Sequence, residues 1–174
     1  SAWSRYRLGF IDPVILDNEM EYTLIIQPAE LYEERVAFIL PMDSNIPHEY
    51  ILLENRQKIG SDIHLAETGM LAWHIDENIT DMYPAMNNVN VDPEFYGVNL
   101  LQADGQEELY YNCNYCADSG DPFPGNTGNT TINDNTIPGL HLYNYDRNAD
   151  GTIDTGGKSR IKIHSIQEIS NEIT

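Results

Sequence analysis

The chain has 174 residues and sets 9 Lys+Arg against 28 Asp+Glu, for a formal net charge of −19. That excess of acid argues against nucleic-acid binding, which needs a basic footprint, and disfavours an anionic membrane surface. No run approaches the roughly 20 apolar residues of a spanning helix, and 41% hydrophobic with 10% aromatic content is a folding composition rather than a disordered one. No charged segment precedes an apolar one in the manner of a secretory leader, so any leader is expected to have been removed or to lie upstream.

Ser1 to Gly9 reads as a short helix, with Ser1 as its N-cap and Gly9 just past its end. Pro13 blocks its continuation. The hydrophobic period then changes to two. Glu21–Gln27 (EYTLIIQ), Arg35–Pro41 (RVAFILP) and Glu49–Gln57 (EYILLENRQ) have strand length, with breaks at Pro28, Pro41, Asp43, Asn45 and Pro47. Short connections predict an antiparallel meander. Gly69–Glu77 (GMLAWHIDE) and Gly97–Asp104 (GVNLLQAD) are the fourth and fifth strands. Arg160–Ile166 (RIKIHSI) alternates, placing Ile161 and Ile163 on one face. Ile51, Leu52 and Leu53 are apolar on both faces, which fits strands held between layers. The predicted fold is mainly β: an antiparallel β-sandwich with one short N-terminal helix and long polar loops.

Those loops, Thr80 to Tyr96 and Gly105 to Pro138, are rich in Asn, Asp, Gly and Pro. Their length suits segments that are functional, disordered or tied down by ligands. The only cysteines, Cys113 and Cys116, lie in the second. A Cys-x-x-Cys pair serves as a local disulfide, half a zinc site or a redox motif, and it can also remain as free thiols. No second pair completes a zinc site, and the surroundings lack the strand–helix context of a redox motif.

Asp146-Arg-Asn148-Ala-Asp150-Gly151-Thr152-Ile-Asp154 matches a calcium loop. Asp146, Asn148, Asp150, Thr152 and Asp154 stand where oxygen ligands belong, and Gly151 stands at the sharp turn. Carboxylates two apart around such a turn converge on one point. The twelfth position, usually a bidentate Glu, is Gly157, so the site is expected to be weaker or completed from elsewhere. The flanks, Leu140–Tyr145 and Arg160–Ile166, read as strands, which excludes a helix–loop–helix sensor. The bland reading is a metal-free Asx-type turn.

His74 and Asp76 share a face of the fourth strand and are within reach of a hydrogen bond or a shared cation. Glu54 and Arg56 share a face and are expected to pair. Both pairs read more naturally as structural. Asp104-Gly105 and Asp118-Ser-Gly-Asp121-Pro-Phe-Pro-Gly125 are turn-forming, and their carboxylates could hold a second cation. His-Glu-x-x-His, Gly-x-Ser-x-Gly, phosphate-binding loops and dinucleotide fingerprints are all absent.

Five ordered segments together resemble secreted bacterial metallopeptidases of the immune inhibitor A type. They are Ser1-Ala-Trp-Ser-Arg-Tyr-Arg-Leu-Gly9-Phe-Ile-Asp-Pro13, Glu49–Gln57, Gly69–Glu77, Leu100-Leu-Gln-Ala-Asp104-Gly105 and Gly120-Asp121-Pro-Phe-Pro-Gly125. The resemblance covers residues 1 to about 125. It implies that residues 1–12 are the final helix of a catalytic domain and residues 13–174 a β-sandwich carrying the calcium-type loop at 146–157. It also implies that the zinc ligands and general base lie upstream of Ser1, so no catalytic residue is carried over. The chain is then expected to be a non-catalytic, calcium-stabilised supporting region of a secreted or cell-surface zinc metallopeptidase. Its partners would be its own upstream catalytic domain and a protein substrate. The alternative is a free-standing calcium-dependent binding or adhesion module, with Tyr110, Tyr111 and Tyr115 as contact residues.

Overall fold

The structure, a computed structural model, describes residues 1–17, 19–32, 34–43, 46–82, 89–92, 95–110, 116–143, 157–169 and 172–173. Its centre is the strand β3 (Ile46–Arg56), which pairs antiparallel with β2 (Ala37–Asp43) on one side and β4 (Gly69–Asp76) on the other. β5 (Val98–Leu101) continues the antiparallel meander beyond β4. A two-residue β1 (Val14–Ile15) joins the opposite edge parallel to β2, so the five-stranded sheet is mixed. The meander joins strands successive in the chain: a short connection at 44–45 links β2 to β3, a longer one at 57–68 links β3 to β4, and the segment 77–97 links β4 to β5.

The two-sided apolar pattern of β3 has a direct counterpart in packing. Ile51 and Leu53 join Phe38, Met70 and Ala72 on one face, while Tyr50 and Leu52 join Ile39 and Ile75 on the other. The second of these faces is covered by the helix α1 (Ala2–Arg7) through Ala2, Trp3 and Tyr6, together with Ile11 and Ala29. The first face is covered by a small antiparallel sheet of β6 (Thr131–Asn133) and β7 (Lys162–His164), with Phe123, Leu140 and Ile166 packed beside it. Two further short strands, β8 (Glu168–Ile169) and β9 (Glu172–Ile173), form a hairpin. Ile173, fully buried, bridges back to Ile26.

Local chemistry explains α1. The Ser1 hydroxyl accepts from the Ser4 amide at 3.3 Å, capping the N-terminus. At the other end Gly9 adopts φ +73°, Phe10 donates to the Arg5 carbonyl and Gly9 to that of Tyr6. That is a Schellman closure, which needs a residue tolerant of left-handed backbone.

Two elements differ from the sequence reading. Glu21–Gln27 forms no ladder and contributes only the single bridge at Ile26. A second helix, α2 (Glu77–Met82), follows β4 directly. Asp76, at the end of β4, accepts from the Asn78 amide at 2.9 Å and so satisfies one of the first free N–H groups of α2. Of the predicted flank Leu140–Tyr145, the described residues 140–143 give the isolated bridge of His141 to Lys158.

Candidate acidic cation site

Beyond β5 the chain turns at Ala103–Asp104 and meets the loop at 118–121. The Ala103 amide donates to the Asp121 carbonyl at 2.9 Å and the Asp104 amide to the Gly120 carbonyl at 3.1 Å. These bonds bring together two carboxylate-rich turns lying far apart in sequence. Glu107, at φ +57°, then redirects the chain into a 3-10 turn, Glu108–Tyr110, which delivers a third carboxylate. One oxygen from each of Asp104, Glu108 and Asp118 lies within 4.8 Å of the other two.

Asp121 is the innermost acid, only 5% exposed. Its Oδ2 accepts from the Asp118 amide at 2.9 Å, whereas its Oδ1 is buried without a donor. Glu108 Oε2 is likewise buried without a donor. Burial, and secondarily the charges of Glu108, Asp118 and Asp104, raise the Asp121 carboxyl to about 6 against the opposing Asp118 amide. The remaining oxygens are steered by local bonds. Asp104 takes the Gln106 amide at 3.0 Å and the Gln106 side chain at 2.9 Å, and Asp118 Oδ1 takes the Gly120 amide at 2.5 Å. A Cβ at position 120 would overlap the Asp104 carboxylate, so any side chain there would have to displace that group.

Four carboxylates around two donor-less buried oxygens suit a hard cation with oxygen ligands. Neutral donors satisfy only part of this acceptor set, and no Lys or Arg forms an ion pair with it among the described residues. The sequence already marks the turns at Asp104 and Asp118–Asp121 as cation candidates. It does not mark Glu108, whose only signal is its place four residues after Asp104 in a run without strand periodicity. The predicted ligands Asp146, Asn148, Asp150, Thr152 and Asp154 lie outside the described residues. At the base of that segment the Leu142 amide donates to the Gly157 carbonyl at 2.9 Å.

The other candidates resolve into structural roles. His74 hydrogen-bonds to Glu49 rather than to Asp76. Its Nε2 lies 2.8 Å from Glu49 Oε1 on the neighbouring strand, and its ring packs 4.2 Å from that of Tyr143. Glu49 also accepts the Tyr143 amide at 2.6 Å, which pins that segment to the sheet. Burial, then the charge of Glu49, raises the Asp76 carboxyl. The expected Glu54–Arg56 pair forms at 3.5 Å. Glu54 is fully buried and also takes the Trp73 indole at 2.7 Å and the Ala2 amide at 3.1 Å. Arg56 further pairs with Glu30 and Asp62. Cys116 is disulfide-bonded, and Cys113 is the chain's one other cysteine. Tyr110 stacks on Tyr96 and donates to the Leu100 carbonyl. Tyr111 and Tyr115 lie outside the described residues.

No described helix is long and apolar enough to cross a membrane. The fold and the acidic cluster together define a mainly β module with a candidate cation site. No protein-family model, curated protein or solved structure matches the chain.

Proposed function

We propose that the chain is a calcium-stabilised, non-catalytic β module whose ion is held by Asp104, Glu108 and Asp118, with Asp121 behind them. The supporting observation is the pair of buried oxygens, Asp121 Oδ1 and Glu108 Oε2, that have no donor inside an otherwise hydrogen-bonded turn. Calcium would supply the missing positive partner and fasten the end of β5 to the 118–121 loop. The sequence resemblance to immune-inhibitor-A-type peptidases extends this reading. In it the module supports the catalytic part of a secreted zinc metallopeptidase, and zinc belongs to residues upstream of Ser1. Such a chain would hydrolyse nothing alone.

Binding of an ion only to the folded state stabilises by about 2.7 kcal/mol at roughly 100 times Kd. For a domain of this size that raises the melting temperature by about 5–10 °C. Calorimetry with calcium, then with chelator, measures it. The response should disappear in Asp104→Asn and in Asp118→Asn. A melting temperature indifferent to both calcium and chelator rejects the site, and a full response in both variants places the ion elsewhere. The extension is tested separately by reading the gene upstream of Ser1 for His-Glu-x-x-His followed by a Met-turn.

A further inference from the structure

A second feature lies on the opposite flank of the same core face and is independent of the cation site. Glu21 to Ile25 runs without a bend or turn. Among the described residues, none of its backbone N–H or C=O groups bonds to another backbone group. Yet Tyr22, Thr23 and Ile25 are residue types that favour strands. Beside them lies a cavity of about 400 Å³, floored by Ile26, Leu53 and Met70 and lined also by β7. β7 has β6 on one edge and, among the described residues, no ladder partner on the other. Its rim is partly apolar: Met20 and Tyr22, which line it, leave large hydrophobic side chains exposed.

We infer that this trough binds an extended peptide segment of a partner polypeptide, which adds as a strand beside Glu21–Ile25 and places apolar side chains in the cavity. A small apolar ligand would fill the cavity but leave the unpaired backbone as it is; a strand uses both. Charge sets the flanks of the occupant. Asp17 and Glu21 line the cavity from the N-terminal segment, and Arg160 and Lys162 from the segment containing β7. Neither cation forms an ion pair among the described residues. The fitting segment therefore alternates apolar residues and carries a basic residue at one end and an acidic one at the other.

The probe is a blocked heptapeptide, acetyl-Lys-Val-Thr-Val-Thr-Val-Glu-amide, alongside its reversed sequence and free laurate. Binding is followed by titration calorimetry and by amide hydrogen exchange of residues 21–25 and 162–164. One peptide orientation should bind saturably and slow exchange at both segments. Thr23→Pro removes an N–H that the fold does not use and should weaken binding at least tenfold at an unchanged melting temperature. Lys162→Glu, on an exposed side chain, should weaken the same peptide several-fold and serves if the proline variant is less stable. Failure of both peptides, or peptide binding untouched by both variants, overturns the inference. So does laurate binding with no amide protection, which would mark the cavity as a site for small amphiphiles.

Discussion

Arg56 shows how much of this fold rests on single charged groups. It stands among Glu30, Glu54 and Asp62, and Glu54 has no exposure at all. Removing the guanidinium leaves a buried carboxylate facing others, and such losses cost about 3–5 kcal/mol. Arg56→Met is expected to lower stability by that order in urea unfolding, far more than removal of the exposed Lys58–Glu67 pair, which is worth at most about 1 kcal/mol. Asp121 carries a different signature. Its carboxyl is raised above that of an unfolded chain, so the folded state binds the extra proton. Without a cation, its contribution is fully present below about 4 and lost as pH rises through about 6. Melting in chelator between pH 4.5 and 7.5 should therefore fall more steeply for the native chain than for Asp121→Asn. Calcium should reverse the trend, because it favours the ionised form.

At the scale of elements, α1 offers the cleanest test. Gly9→Ala forces a side chain into left-handed backbone at the Schellman closure and should cost about 1–2 kcal/mol. Thermal melts of the two proteins check it. The same helix shows what the sequence makes legible. Its cap at Ser1 and its stop at Gly9 are both local signals, and both correspond to the structure. The meander β2–β5 is readable for a related reason: strands successive in the chain pair with one another, and the unbroken apolar run Ile51–Leu53 on β3 announces two covered faces. Glu21–Gln27 carries strand propensity but pairs only through the bridge at Ile26, because a ladder depends on a neighbouring strand that local sequence does not specify. α2 is not legible because its first residue, Glu77, also reads as the last residue of the fourth strand, Gly69–Glu77. The cation cluster was half legible. Asp104 and Asp118–Asp121 announce turns, but their meeting depends on backbone bonds across more than a dozen residues, and Glu108 joins them through a 3-10 turn.

For the whole molecule, a net charge of −19 makes the compact state self-repelling, and carboxylates gathered in one place concentrate that cost. Calcium and added monovalent salt should therefore act differently. Salt screens the whole surface and should raise the melting temperature gradually in every variant, whereas calcium should act at low concentration and only where Asp104 and Asp118 are intact. The bridge between Ile26 and Ile173 has a further bearing on the order of events during synthesis. Residues 37–76 can form three paired strands as soon as they emerge, but the face bearing Ile51, Leu53 and Met70 is closed by Phe123, Ile132, Leu140, Ile166 and Ile173, which emerge much later. Until the segment from 123 to 173 has been made, the nascent chain therefore presents a three-stranded sheet with a bare apolar side, open to chaperone capture or to sticking to a neighbouring chain.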